Sequence, residues 1–428
     1  MGQTIVEKAF SRNNIAGTPV KVGDIIEARL DAVRFQYGFG PLIQQAAKEM
    51  GFSEGLPRVF DPERVYVMVD HHQPALSQAL ADSNVVTRQE VKRLGLQTFQ
   101  DAEPGIGHQM IMDRGLARPG MVIVGVDSHT VSYGALNAIS RAETGGGAVY
   151  AAMFGELWFE VPKTTKVTLA GHQPNYPISK DIILYLAGKY GDDFGDNQAL
   201  EFTGPLVDQL SMDSRMCISD HGVEVGAQFA LFPCDQTTRE YLRTRTDKPY
   251  EPVAADPDAQ YDREIHLNVD EMPFVVAKPH KFGNVSPVDE VAGVKIDQAM
   301  IGSCANGRFE DIEIAARMLK GRKVATGVRC IISPSSQAIY LQCLEAGLVQ
   351  RLVEAGVQLV TPGCSICQPM LGFLSAGEVA ISSTTRNYRG RKGSLEAQIY
   401  LGGPLTVTAA AVAGEIADPK EVFPELKD

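Results

Sequence analysis

Short apolar runs alternate with helix-spaced segments from near the start of the chain. Residues 41–50 (PLIQQAAKEM) have helical composition, 65–69 form an apolar run of strand length, and 77–96 read as a helix. Residues 121–126 are another run suited to a buried strand, and they lead straight into Asp-Ser-His-Thr. From about residue 23 to 171 this alternation predicts an α/β unit.

A second segment, 175–237, begins with a helical stretch (ISKDIILYLAGKYG) and ends at GVEVGAQFALFPCD. Between 244 and 289 Pro, Asp and Tyr take over, as expected of a linker. The alternation then resumes. KIDQAMIGS is a strand ending at Cys304, and Asn306 is placed to cap the helix FEDIEIAARMLKG, whose acidic first turn suits the helix dipole. Strand VRCIISP, two helices (SSQAIYLQCLEAG and LVQRLVEAG), strand VQLVTP and strand VAISSTTR follow, the last running into the loop RNYRGRKGS. The expected layout is an α/β domain over 1–170, a second α/β domain over 171–289 ending in the linker, and a parallel-sheet α/β domain over 290–428.

At about 150 residues per domain, 428 residues also suggest three domains. With 44% hydrophobic and 21% charged residues, the chain is neither disordered nor fibrous. Its 40 basic against 52 acidic side chains leave a net charge of −12, which repels nucleic-acid phosphates and anionic lipid. Small anions remain possible where arginines cluster. No apolar run approaches about 18 residues, and MGQTIVEKAFSRNN carries no leader pattern, so a cytoplasmic location without a membrane partner is expected.

The seven cysteines are scattered and odd in number, unlike a disulfide framework. Cys304 and the Cys364/Cys367 pair each follow an expected strand, and ligands of open α/β sheets gather at such carboxyl ends. Three readings stay open at this point. The CxxC can be a structural or redox turn. It can hold structural zinc, although a fourth ligand is not apparent nearby. Three thiolates can instead hold an iron–sulfur cluster with one iron left open as a Lewis acid.

Polar residues with acid–base chemistry also close the apolar runs of the first half. Asp70 and His71 follow one strand, His108 lies in a glycine-rich turn, and Asp127, Ser128 and His129 follow another strand. An Asp beside a His can orient the ring or raise its pKa, as a general acid near neutrality requires. Arg386 and Arg391 offer forked donors for carboxylates, or simply form a solvated basic loop with their neighbours. Gly145 to Gly147 look like a glycine-rich turn, but without GxGxxG spacing they imply no dinucleotide.

Taken in order, DHHQP, PGIGHQ, PGMVIVGVDSHT, YGALNA, LWFEVP, VEVGAQF, IGSCANGRFEDIEIAARMLKGRKV, PGCSIC and RNYRGRKGS resemble the aconitase superfamily over nearly the whole chain. The likeness is to its large-subunit branch of 3-isopropylmalate dehydratases and homoaconitases. It implies related α/β domains in three layers around a cluster site, without the family's swivelling domain. Cys304, Cys364 and Cys367 would then hold one 4Fe-4S cluster with an open iron.

The resemblance further implies dehydration and rehydration of a hydroxy di- or tricarboxylate through an alkene. The first choice is conversion of 2-isopropylmalate to 3-isopropylmalate in leucine biosynthesis. Homoaconitase and dimethylmalate- or citramalate-type dehydratases are alternatives, and a zinc-stabilised or redox-sensing scaffold is an alternative of another class. Asp70 and His71 match the pair that protonates the departing hydroxide, while His108, Asp127 and His129 match residues lining the site. Glu224 matches a carboxylate near the iron-bound water. Gln36, Ser128, Arg386 and Arg391 are the expected substrate contacts. The swivelling domain and its proton-abstracting serine would come from a separate small subunit, about the size of one further domain, and this chain alone should be inactive. Gln36-Tyr37, Asp220, Thr385 and the run 143–150 depart from the family pattern, and they leave the choice of substrate open.

Overall fold

In the computed structural model, which describes residues 2–426, the first alternation closes into a five-stranded parallel sheet. Its order is Thr98–Gln100, Val65–Met68, Ala32–Phe35, Val122–Gly125 and Ile139–Ala142. The three central strands are buried at every position, as expected of a sheet covered on both faces, and apart from Arg34 they are apolar runs. Helix Phe39–Glu49 joins Ala32–Phe35 to Val65–Met68, and helix Gln78–Leu94 joins Val65–Met68 to the edge strand Thr98–Gln100; Ser77 caps the second by accepting from Leu80 N, and Gly95 ends it in the left-handed region. Gly145 to Gly147 are a helix start rather than a turn. They open helix Gly145–Phe154 because Thr144 accepts from Gly147 N and fixes the first turn.

A four-stranded parallel sheet follows, ordered Phe229–Leu231, Ala199–Thr203, Thr164–Ala170 and Arg263–Asn268. The chain from 244 to 262 has neither helix nor strand, but it is not a free linker. Asn137 clamps its backbone at Val253 through both N–H (2.8 Å) and C=O (3.0 Å), and Val253 is buried in the first core.

The third sheet has seven strands. Five run parallel, in the order Gln398–Gly402, Val379–Ser382, Gln298–Gly302, Arg329–Ser333 and Gln358–Leu359. Val275–Ala277 and Val285–Pro287 extend its edge antiparallel, so this sheet recruits chain from before residue 290. Asn306 does not cap the next helix. Ser303–Asn306 form a separate turn, and the helix Phe309–Met318 is capped at Arg308, whose N–H donates to Asp311 Oδ2 (3.0 Å).

Each sheet has its own large apolar core. The strand ends of the first and third sheets are drawn together where Ile106 N donates to Ser335 O (2.8 Å) and Gly105 bridges Ser336. The candidate site lies along that seam.

Candidate active site

Asp70 and His71 leave the end of Val65–Met68, and both are buried. Asp70 Oδ1 lies 2.9 Å from His71 Nδ1, while its Oδ2 accepts from Arg34 Nη2 (2.5 Å) and from Gly107 N (2.9 Å). Gly107 must be glycine, since a Cβ there would stand 2.4 Å from Arg34 Nη2. Burial pushes the Asp70 carboxyl up, but Arg34 and His71 outweigh it and hold the group at about 2. His71 also loses by burial, yet Cys364 and Asp70 keep its ring protonated well above the ordinary histidine range.

Asp127 joins the other histidines. Its Oδ1 lies 2.9 Å from His108 Nε2 and accepts from His129 N (2.8 Å), and Tyr133 Oη closes the far side of His108. His108 is held below its usual pKa, first by burial and then by Arg34. His129 is raised to about 10: burial opposes the charge, but Asp220, Asp127 and Glu224 prevail. Glu224 Oε1 takes both His129 Nε2 (3.1 Å) and Arg386 Nε (2.7 Å), and Arg386 Nη2 donates to Ser128 Oγ (3.1 Å). Asp127, Ser128, His129, Glu224 and Arg386 therefore form one connected network.

Cys304 follows Gln298–Gly302 through Ser303, a non-glycine residue at φ 73°. Cys364 and Cys367 lie on the turn after Gln358–Leu359. All three thiols are buried and unpaired, and Cys304 and Cys364 share a small cluster with Ile106. Arg391 Nη2 donates to Cys367 Sγ (3.0 Å), and Thr385 Oγ1 is 3.2 Å from the same sulfur. Burial alone would raise the Cys367 thiol, but Arg391 and Lys392 bring it down to about 6. Arg391 is thus turned to a sulfur and to Tyr388 Oη, leaving only its buried Nε unpartnered. Gln36 lies just past Ala32–Phe35 with a buried, unpartnered Oε1, and the neighbouring Tyr37 ring is 5.1 Å from that of His71.

The donor set fits an iron–sulfur cluster. Among the described residues, the ligand atoms found within 4.8 Å of one another belong to His129, Asp220 and Cys304. The three thiols do not form such a group, so they are not all within 4.8 Å of one another as the ligands of one closed zinc would be. The Arg391 guanidinium faces Cys367, as an anionic thiolate-bound cluster needs, and Lys392, whose buried Nζ has no partner and which burial lowers to about 7, acts on the same thiol.

A family model described as aconitase family (aconitate hydratase) matches residues 44–414. The chain belongs to the aconitase family. It is 39% identical to 3-isopropylmalate dehydratase large subunit 1 of Methanopyrus kandleri over 98% of this chain and 99% of that one. It is 38% identical to a Methanothermobacter thermautotrophicus protein named "Probable methanogen homoaconitase large subunit", over 94% of each. The crystal structure of Thermococcus kodakaraensis aconitase X superposes with TM-score 0.50 over 87% of this chain and 88% of that one, and at 12% identity this likeness speaks for the fold alone. The expected aconitase-like α/β architecture is borne out. No helix among the described residues is long and apolar enough to cross a membrane.

Sequence reasoning missed several residues that the structure brings to this candidate site. Arg34 sits inside an apolar strand, fully buried, and only its charge in such a run could have flagged it. Lys180 and His221 form a buried pair (Nζ to Nε2, 2.6 Å) beside the network, with no local motif to announce it. Asp220, noted only as a departure, is fully buried with neither oxygen hydrogen-bonded.

Proposed function

We propose that this chain is the large, cluster-bearing subunit of a hydro-lyase that isomerises a malate-like hydroxy acid by dehydration and rehydration, with 2- and 3-isopropylmalate as first substrates. The observation that carries the reading is the juxtaposition of the Asp70-held His71 ring with Cys364 of the thiol trio. Cys304, Cys364 and Cys367 would hold a 4Fe-4S cluster. When bound, its open iron supplies Lewis acidity toward a substrate hydroxyl.

The chain's own residues account for the rest of its share. Arg34 keeps Asp70 ionised, Asp70 fixes the His71 ring, and His71 holds a proton in a buried position from which it can pass to a departing hydroxide. Arg386 and Ser128 offer donors to a substrate carboxylate, with Glu224 and His129 setting their orientation. Asp127 Oδ2, 3.8 Å from Arg34 Nη1 and 4.0 Å from His71 Nε2, connects the Asp70 group to the His129 group, and its Oδ1 holds His108. The relatives are named large subunits, and a small subunit would contribute the base that removes the carbon-bound proton.

The test is anaerobic reconstitution of the chain with iron, sulfide and its small subunit, followed by assays with 2-isopropylmalate, homocitrate, 2,3-dimethylmalate and citramalate. Turnover of 2-isopropylmalate alone supports the first choice. Preference for homocitrate moves the chain to the homoaconitase activity, and inactivity on every hydroxy acid defeats the hydro-lyase reading.

A further inference from the structure

Lys180 stands near the start of helix Ser179–Tyr190 and is fully buried. Its Nζ reaches two segments far apart in sequence, donating to His221 Nε2 (2.6 Å) and to Thr384 O (3.1 Å). His221 opens the turn His221–Val225, which carries Glu224. Thr384 lies just before Arg386, on the loop that leaves strand Val379–Ser382. The side chains borne by those two segments, Glu224 and Arg386, meet at 2.7 Å. One ammonium therefore ties together the segments whose side chains form that contact.

Donor and acceptor within the pair are fixed. Cys217 O lies 2.7 Å from His221 Nδ1 and can only accept, so Nδ1 carries the ring hydrogen and Nε2 offers its lone pair to Lys180. Burial, and then the Lys180 charge, hold His221 well below the usual histidine range, which keeps that lone pair free of a proton. Phe282 stacks on the His221 ring at 5.7 Å and 23°, and Lys180 Nζ is 5.4 Å from the same Phe282 centroid. Lys180, His221 and Thr384 are all buried, and an ammonium taken out of water is costly. An apolar side chain would fill the space without that cost, so what Lys180 adds to packing is its two directed hydrogen bonds.

We propose that Lys180 and His221 are positioning residues for Arg386: the ammonium braces the turn at His221 against the loop at Thr384 and so sets the Glu224–Arg386 contact from which the guanidinium meets a ligand. The inference rests on the reading of Arg386 as a donor to a substrate carboxylate.

Steady-state kinetics of the reconstituted complex, with iron and sulfide determined alongside, test it. Lys180→Met should raise KM for 2-isopropylmalate, or for homocitrate if that is the acid turned over, about 10- to 100-fold at wild-type cluster content, with kcat changing far less. His221→Leu should do the same, whereas His221→Gln, which keeps an acceptor for the ammonium, should restore most of the affinity. In an Arg386→Lys background, Lys180→Met should add less than about threefold, since both act through one guanidinium. Unchanged KM in Lys180→Met, equal losses in the Leu and Gln variants, or a full further loss on top of Arg386→Lys overturns the proposal.

Hydrogen exchange of the full chain, read by mass spectrometry, needs no turnover. Lys180→Met should speed exchange about 10-fold or more over 221–227 and 383–387 together and leave 65–69 unchanged. A complex inactive on every hydroxy acid defeats the hydro-lyase reading and leaves exchange to decide the brace: no change, or faster exchange throughout the chain, overturns it. Should Lys180→Met fail to fold by circular dichroism, the comparison of His221→Leu with His221→Gln decides by the same two readouts.

Discussion

Arg386 Nε lies 2.7 Å from Glu224 Oε1, the same oxygen that meets His129 Nε2 at 3.1 Å. One edge of the guanidinium is therefore held by the protein, leaving its remaining donors for a ligand carboxylate. Because Arg presents a planar fork and Lys a single point charge, Arg386→Lys should raise KM about 10- to 100-fold while kcat changes far less. Steady-state kinetics on the reconstituted complex decide this, and an unchanged KM would make Arg386 a support for Glu224 only.

His71 is assigned a proton to deliver, not a ligand to hold. His71→Ala should lower kcat by about 10² to 10⁴ and leave bound iron and acid-labile sulfide at the wild-type level. Metal analysis beside the rate measurement separates the two roles. Wild-type turnover in this variant would remove His71 from proton transfer.

Arg34 is fully buried and bonded to Asp70, with Asp127 3.8 Å away. Arg34→Met keeps the volume but leaves the buried Asp70 carboxylate with only His71 as a counter-charge. The expected loss is about 3 to 5 kcal/mol of unfolding free energy, measured by urea denaturation. A loss below about 1 kcal/mol would show that Asp70 is not ionised in the fold.

How much of this was legible beforehand follows from the range of each interaction. The strands and helices announced themselves because burial writes period and length into neighbouring residues, so the stretches 65–69 and 77–96 appear as Val65–Met68 and Gln78–Leu94. Asp70, His71, Cys304 and Cys364 could be picked out because each closes an apolar run at a strand end. The Arg34 contact spans 36 positions, and that between Ser128 and Arg386 spans 258, distances over which no local pattern operates. The segment 244–262 shows the opposite failure. Its composition suggests a loose linker, but Asn137 ties it down from 116 positions away.

If the three thiols share one cluster, their loss should be felt as a unit. Cys364→Ser is expected to abolish bound iron, acid-labile sulfide and activity together, while Cys343→Ala, a buried thiol of the third core, keeps all three. Iron and sulfide determinations on anaerobically purified protein check this. Stoichiometric zinc without sulfide in the unmodified chain would instead return the CxxC to a structural role.

Glu201 offers a pH test outside the site. It is 1% exposed, accepts from Ile5 N (2.6 Å) and from Tyr261 Oη (3.0 Å), and burial raises its carboxyl from 4.5 to about 7. Between those two values the folded chain holds a proton that the unfolded chain has released. Stability from this group is therefore complete below about pH 4.5 and is lost as the pH rises through about 7. Glu201→Gln keeps the acceptor toward Ile5 N and cannot ionise, so it should gain about 1 to 3 kcal/mol relative to the unmodified chain between pH 5 and pH 8. Urea midpoints for both proteins at the two pH values give the difference directly, because every other titrating group contributes equally to each. An offset that does not change with pH would mean that Glu201 is already ionised in the folded state at pH 5.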